Sequence, residues 1–159
     1  MTRHCGIPGL ALITTLAVAA RSPAADHPIY DESADAHQQI KAAIARASQS
    51  GKNVVLDFGA NWCLDCHVLD AQMRSPELAQ LVERNYVVVH VDVGLYSKNL
   101  DVAQKYGIPL RKGIPALAVL DPHGKLLFSQ DQGQFEGARH LSTDSFKQFF
   151  EQWRPKASI

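Results

Sequence analysis

Apolar residues recur along the chain at two periods, and the changes of period mark out the elements. Ala36, Ile40, Ala43, Ile44 and Ala47 share one side of a helical repeat, with Ser33 placed to cap it and Gly51 to end it. The run "NVVLDFG", residues 53–59, is short, apolar and bounded by breakers, and reads as a buried strand. A second helix opens within four residues of it. On that helix Trp62, Cys66, Leu69 and Met73 form one stripe, while Cys63, His67 and Asp70 lie on its neighbour. Ser75-Pro76-Glu77 predicts a helix restart, with a cap residue, Pro at the first position and an acid in the first turn. A second strand is expected at "YVVVHVDV", residues 86–93, and a helix over 99–106 that ends at Gly107. Residues 116–120 and 125–129 read as strands joined by "DPHG", a turn sequence that makes them a hairpin. Residues 130–142 carry no clear period. Thr143 or Ser142 then caps a last helix with Phe146, Phe149, Phe150 and Trp153 on its apolar side.

The order α-β-α-β-α-β-β-α, without internal repeats, predicts an α/β domain over residues 34–154. Its central sheet is mixed, closed by a C-terminal hairpin and covered by helices on both faces. The 159 residues leave room for one such core. The N-terminus is expected to lie outside it. Arg3 and His4 precede an apolar run, residues 7–20, followed by small residues, which is the layout of a secretory signal peptide over 1–25, cleaved after Ala19, Ala20 or Ala25. The run is too short to cross a bilayer comfortably. Residues 26–33 then form a linker and 155–159 a tail. An exported, periplasmic protein is implied.

Charge adds only exclusions. Sixteen basic residues balance sixteen acidic ones, so no strong field draws nucleic acid or an anionic membrane. A monomer is expected. Cysteine usage says more. Of three cysteines, Cys5 leaves with the leader, and Cys63 and Cys66 are too few and too close for a structural disulfide scaffold. Redox or metal chemistry remains.

The stretch "NWCLDCH", residues 61–67, fits two descriptions. Cys63-x-x-Cys66 behind Trp62 is a redox dithiol pattern, whereas Cys63-x-x-Cys66-His67 is a c-type haem attachment pattern. Apart from Met1 the sole methionine is Met73, on the same helix as His67, and it cannot reach the far side of a haem. His90, His123 and His140 could still supply an axial ligand. The buried strand that launches the motif favours the dithiol.

At this point the chain resembles the thioredoxin superfamily from about Ala34 to Trp153. The pattern is Asp57-Phe58-x-Ala60-x-Trp62-Cys63-x-x-Cys66 on strand-turn-helix, with Gly113-Ile114-Pro115 before an apolar strand downstream. It is similar in particular to the C-terminal thioredoxin-like domain of the membrane thiol:disulfide interchange protein, through "LDFGANWCLDC" and "YGIP…KGIPALAVLDPHGK". Leu64 and Asp65 depart from the Gly-Pro of ordinary thioredoxins, which leaves redox direction open. The resemblance implies a thioredoxin fold, a cis-proline at Pro115 rather than Pro109, and a backbone at Ile114 that pairs with an extended client segment. It also places Asp57 where thioredoxin-like proteins carry an acid.

Within that frame Cys63, at the helix N-terminus, is the attacking thiolate, and Cys66, facing the core, is the resolving thiol. Asp57 shares a strand face with Val55 and Gly59, so it is expected to be a buried acid. It is either a satisfied structural carboxylate or the acceptor of the Cys66 proton, and its place in the family pattern favours the acceptor. Trp62 belongs to the rim around Cys63. His90 is expected to be a satisfied core histidine. Asp65 should act against the thiolate and His67, when protonated, should support it. The chain is thus expected to be a thiol–disulfide oxidoreductase that reduces or exchanges client disulfides rather than a primary oxidant. It should need no cofactor or metal and draw electrons from a membrane-bound dithiol donor. A copper- or client-binding module without turnover is the alternative on the same fold, and a haem carrier the alternative on another.

Overall fold

A computed structural model describes Met1 and residues 28–156. The expected leader, its cleavage positions and Cys5 lie outside the described residues, as do residues 157–159. Four strands form one mixed sheet. β1 (Asn53–Gly59) lies at its centre, parallel to β2 (Tyr86–Asp92) and antiparallel to β3 (Ala116–Leu120), and β3 pairs antiparallel with β4 (Leu126–Ser129). The strand order is β2-β1-β3-β4. Burial follows that order. Every residue of β1 and β3 is buried, whereas β4, at an edge, is exposed or half-buried throughout.

Strand alternation divides the core in two. Val54, Leu56 and Phe58 pack with α1 (Ala36–Ser50) and α4 (Leu100–Lys105) on one face. Val55, Leu117 and Val119 pack with α2 (Leu64–Met73), α3 (Ala79–Asn85) and α5 (Thr143–Gln152) on the other. Each fully buried Leu, Val or Phe contributes about 1.5–3 kcal/mol relative to exposure, so this two-sided burial carries the fold. Among the described residues no helix is long and apolar enough to cross a membrane.

The expected elements form, with corrections at their ends. α1 is capped by Asp35, whose carboxylate accepts the Gln38 N–H at 3.1 Å. Ser33 does not serve, because its N–H and hydroxyl both bind the Asp31 carboxylate, at 2.9 and 2.7 Å. Gly51 ends α1 in the left-handed region (φ 68°) and returns its N–H to Ala47 O. Ser75-Pro76-Glu77 forms a turn rather than a helix start. The Ser75 carbonyl, not its hydroxyl, accepts from Leu78 and Ala79, and α3 begins at Ala79 without a side-chain cap. The hairpin turns at Asp121, whose carboxylate accepts the N–H groups of His123 and Lys125, while Gly124 supplies the positive φ of 86°. Ser142 caps α5 through the Ser145 N–H.

Two segments without periodicity are built into the core. Tyr30, in the stretch expected to be a linker, is fully buried. Residues 130–142 fold back over α2. Gln130 Oε1 accepts the Leu117 N–H and its Nε2 donates to Pro115 O, extending the β3 backbone bonding by a side chain. Phe135 and Ala138 enter the core shared by α2 and α5.

Candidate active site

β1 ends at Gly59, a tight turn follows, and α2 begins at Leu64 with Cys63 as its N-cap. The cap is made by sulfur. Cys63 Sγ accepts the backbone N–H of Cys66 at 3.1 Å, where a Ser or Asp oxygen would ordinarily sit. The amide dipoles of α2 point their positive end at this atom, so negative charge on it is favoured. Cys63 and Cys66 are joined as a disulfide. Cys66 is completely closed off, while Cys63 keeps 5% exposure at the surface end of the pair. The stripe expected on α2 is present in Cys66, Leu69 and Met73, all buried; Trp62 stands before the helix and is half-exposed. The His67 Nε2–H donates to the Asn61 carbonyl at 2.7 Å, which engages the nitrogen that a haem iron would require.

Asp57 lies at 0% exposure in β1, and its alternation with Val55 places it as the sequence predicts. Its partners were not legible. Oδ2 accepts both the Tyr30 hydroxyl and the His90 Nδ1–H, each at 2.9 Å, and Oδ1 is buried without a partner. His90, expected as a satisfied core histidine, is satisfied by its bond to Asp57 across the parallel β1–β2 register, and part of its side chain reaches the surface. Burial acts to lower its pKa, but the hydrogen bond and charge of Asp57 outweigh burial and hold the imidazole above its ordinary value. Burial, reinforced by the Asp57 charge, pushes the Tyr30 phenol far up, so it stays a donor.

Asp65 corrects the electrostatic expectation. Its carboxylate is nearly buried and bound to Arg139, with Nη2 at 2.8 Å from Oδ2, Nε at 3.2 Å from Oδ1 and the Arg139 backbone N–H at 2.9 Å from Oδ1. Desolvation raises its pKa, yet the Arg139 hydrogen bonds and charge prevail and hold it below the usual carboxylate range. Its negative charge is matched in place rather than turned on the thiolate. No periodic signal in residues 130–142 announces this arginine.

The Ile114–Pro115 bond is cis, the only cis bond among the described residues, and the Ile114 carbonyl oxygen lies 3.6 Å from Cys63 Sγ. Trp62 and Leu64, which flank Cys63 in the chain, and Leu95, Tyr96 and Leu100, which follow β2, are five of the large apolar side chains that stand exposed. Trp62 Nε1–H donates to Gly94 O at 2.9 Å, and its ring meets Tyr96 edge-on. Beside them Tyr96, Leu100, Leu110, Arg111, Lys112 and Gly113 line a cleft of about 530 Å³. Among the described residues no group of three or more His, Cys, Asp or Glu is placed to hold a metal.

The chain is similar to known proteins in sequence and in fold. The thioredoxin-like family profile spans residues 35–122. A disulphide isomerase structure from Xylella fastidiosa Temecula1 is 38% identical with a TM-score of 0.76, covering 80% of this chain and 98% of that one. The oxidised C-terminal domain of DsbD from Neisseria meningitidis is 28% identical with a TM-score of 0.51, covering 74% and 96%. The thiol:disulfide interchange protein DsbD 1 of Pseudomonas aeruginosa is 36% identical over 55 residues, which is 35% of this chain and only 9% of that much longer protein.

Proposed function

The chain belongs to the thioredoxin-like family and is a thiol–disulfide oxidoreductase, and we propose that it works outside the cytoplasm, reducing or exchanging disulfides of client proteins. The observation that carries the reading is the asymmetry of the dithiol. Cys63 Sγ caps α2, accepts an N–H and retains surface access, whereas Cys66 has none. The Cys63 thiolate attacks the client disulfide, and Cys66 then attacks Cys63 Sγ and releases the client thiol. Asp57 accepts the Cys66 proton. Trp62, Ile114 and Pro115 bound the client site, with the Ile114 carbonyl offered to an extended client backbone. The leader-like N-terminus and the similarity to DsbD support export and recharging by a membrane-bound dithiol donor.

Trapping tests this reading. Cys66→Ser should accumulate mixed disulfides with exported proteins on non-reducing gels, and Cys63→Ser should not. The reverse pattern would exchange attacker and resolver. Absence of any adduct, together with tight copper(I) binding by the reduced protein, would replace the enzyme with a binding module.

A further inference from the structure

Once a client is attached to Cys63, the dithiol face is occupied, and Cys66 behind it has no exposed surface. Its proton needs another way out. Of the two side chains bonded to Asp57, Tyr30 is fully buried and His90 reaches water. His90 stands on β2, the edge strand of the sheet, with Nδ1 at 2.9 Å from Asp57 Oδ2 and 27% of its side chain exposed, against 0% for Asp57. Outside lies a cleft of about 520 Å³ lined by Ile29, Asp31, Arg46, Val88, Val89 and His90, none of which lines the cleft between Tyr96 and Gly113. On the inner side, Asp57 Oδ1 is buried and unpartnered. Tyr30 fills the remaining acceptor position on Oδ2. A β-carbon at Gly59 would collide with the Tyr30 hydroxyl and lie 2.9 Å from Cys66 Sγ, so hydroxyl and sulfur border the same small space.

We propose that His90 is the proton outlet of the resolving step, discharging into the cleft beside β2, away from the client. The inference rests on the reading of Asp57 as acceptor. The Cys66 thiol gives its proton to Asp57, and the freed sulfur electron pair forms the bond to Cys63 Sγ. The bond between Cys63 and the client sulfur breaks, and its electron pair leaves on the client, which is reduced to a thiol with a proton from solvent. Cys63 and Cys66 are oxidised to the disulfide. As one proton enters the pair at Asp57, one leaves at His90 Nε2, and the pair keeps its net charge. The hydrogen bond and charge of Asp57 raise the basicity of His90 above its ordinary value, which favours the protonated form that such an outlet discharges. Asp57 and Tyr30 face the ring directly, Asp70 acts from α2 and Arg74 from its C-cap, and Asp31 and Arg46 line the cleft.

The two chemical steps can be timed separately with 5,5′-dithiobis(2-nitrobenzoate). Attack by Cys63 releases the first aromatic thiol and resolution by Cys66 the second. His90→Gln keeps a hydrogen-bond donor without titrating, and His90→Lys keeps the charge but holds its proton throughout the neutral range. Both should slow the second release about tenfold or more and flatten its pH profile, with the first release unchanged. An unchanged second release in either variant, or equal slowing of both steps, would overturn the outlet. Asp57→Asn separates the two levels. If it slows resolution while the His90 variants do not, only the outlet fails. If Asp57→Asn also leaves resolution unchanged, the acceptor reading fails with it.

Discussion

Arg139→Ala should both destabilise the protein and make its dithiol more reducing. The guanidinium gives Asp65 two of its three hydrogen bonds, and the third, from the Arg139 backbone, survives truncation. The Asp65 side chain is 9% exposed and that of Arg139 53%, so the variant leaves a nearly buried carboxylate without its counter-ion. Hydrogen bonds to charged groups are worth about 1.5–3 kcal/mol each, but half the arginine is in water, and screening and side-chain entropy reduce the sum. A net loss of about 2 kcal/mol follows. For a domain of this size it corresponds to a fall in Tm of roughly 6–10 °C, read by thermal unfolding of the oxidised protein. The redox effect has its own sign. Asp65 sits in the first turn of α2, two residues after Cys63, and an unmatched negative charge there opposes the thiolate by on the order of 1 kcal/mol. The potential should therefore fall by about 20 mV against glutathione. Asp65→Asn should lose similar stability but move the potential the other way, because it leaves Arg139 unmatched. A Tm change under about 2 °C, or a shift of Arg139→Ala toward oxidising values, would refute the reasoning.

Tyr30→Phe removes a donor from a fully buried carboxylate and should cost about 1.5–3 kcal/mol in urea unfolding; a neutral change would show that the hydroxyl does not hold Asp57. Because the folded pKa of His90 is raised, its stabilisation is complete below the ordinary value of about 6.5 and disappears as pH rises through the folded value. The stability gap between the wild-type protein and His90→Gln, measured by urea unfolding from about pH 5.5 to 9, should thus narrow as pH rises. A constant or widening gap would contradict the assigned pairing.

What was legible in the sequence was local. The sulfur cap of α2 follows from a strand, a short turn and a cysteine at the helix start, all within one continuous stretch. The burial of Asp57 follows from alternation in β1. The cis bond at Pro115 was anticipated through family resemblance, since Pro109 offered the same dipeptide. The partners of the site residues were not legible, because Tyr30, His90 and Arg139 reach theirs across 27, 33 and 74 residues. Periodicity carries no information at that range. One of the three had a usable signal. Aligning "NVVLDFG" with "YVVVHVD" as parallel neighbours sets Asp57 opposite His90, which is the observed register. Tyr30 and Arg139 sit in segments without a period, where nothing distinguishes a buried tyrosine or a docked arginine from linker and loop residues. Ser33 and Ser75 failed as caps for a related reason: a nearer carboxylate captured the first, and a turn diverted the second.

The most direct test of the central claim is the equilibrium potential of the Cys63–Cys66 couple, titrated against glutathione with the wild-type protein. Known dithiol proteins run from roughly −270 mV in thioredoxin to −120 mV in the strongest oxidase, according to how far the reduced form's thiolate is stabilised. Here Cys63 is held by the α2 dipole and one N–H, Asp65 is matched by Arg139, and no histidine lies between the cysteines to add positive charge. A client-reducing or exchanging enzyme is expected, with a potential more negative than about −200 mV. A value near −120 mV would mean that the thiolate is stabilised far beyond what these groups supply, and that the protein delivers disulfides to its clients instead of removing them.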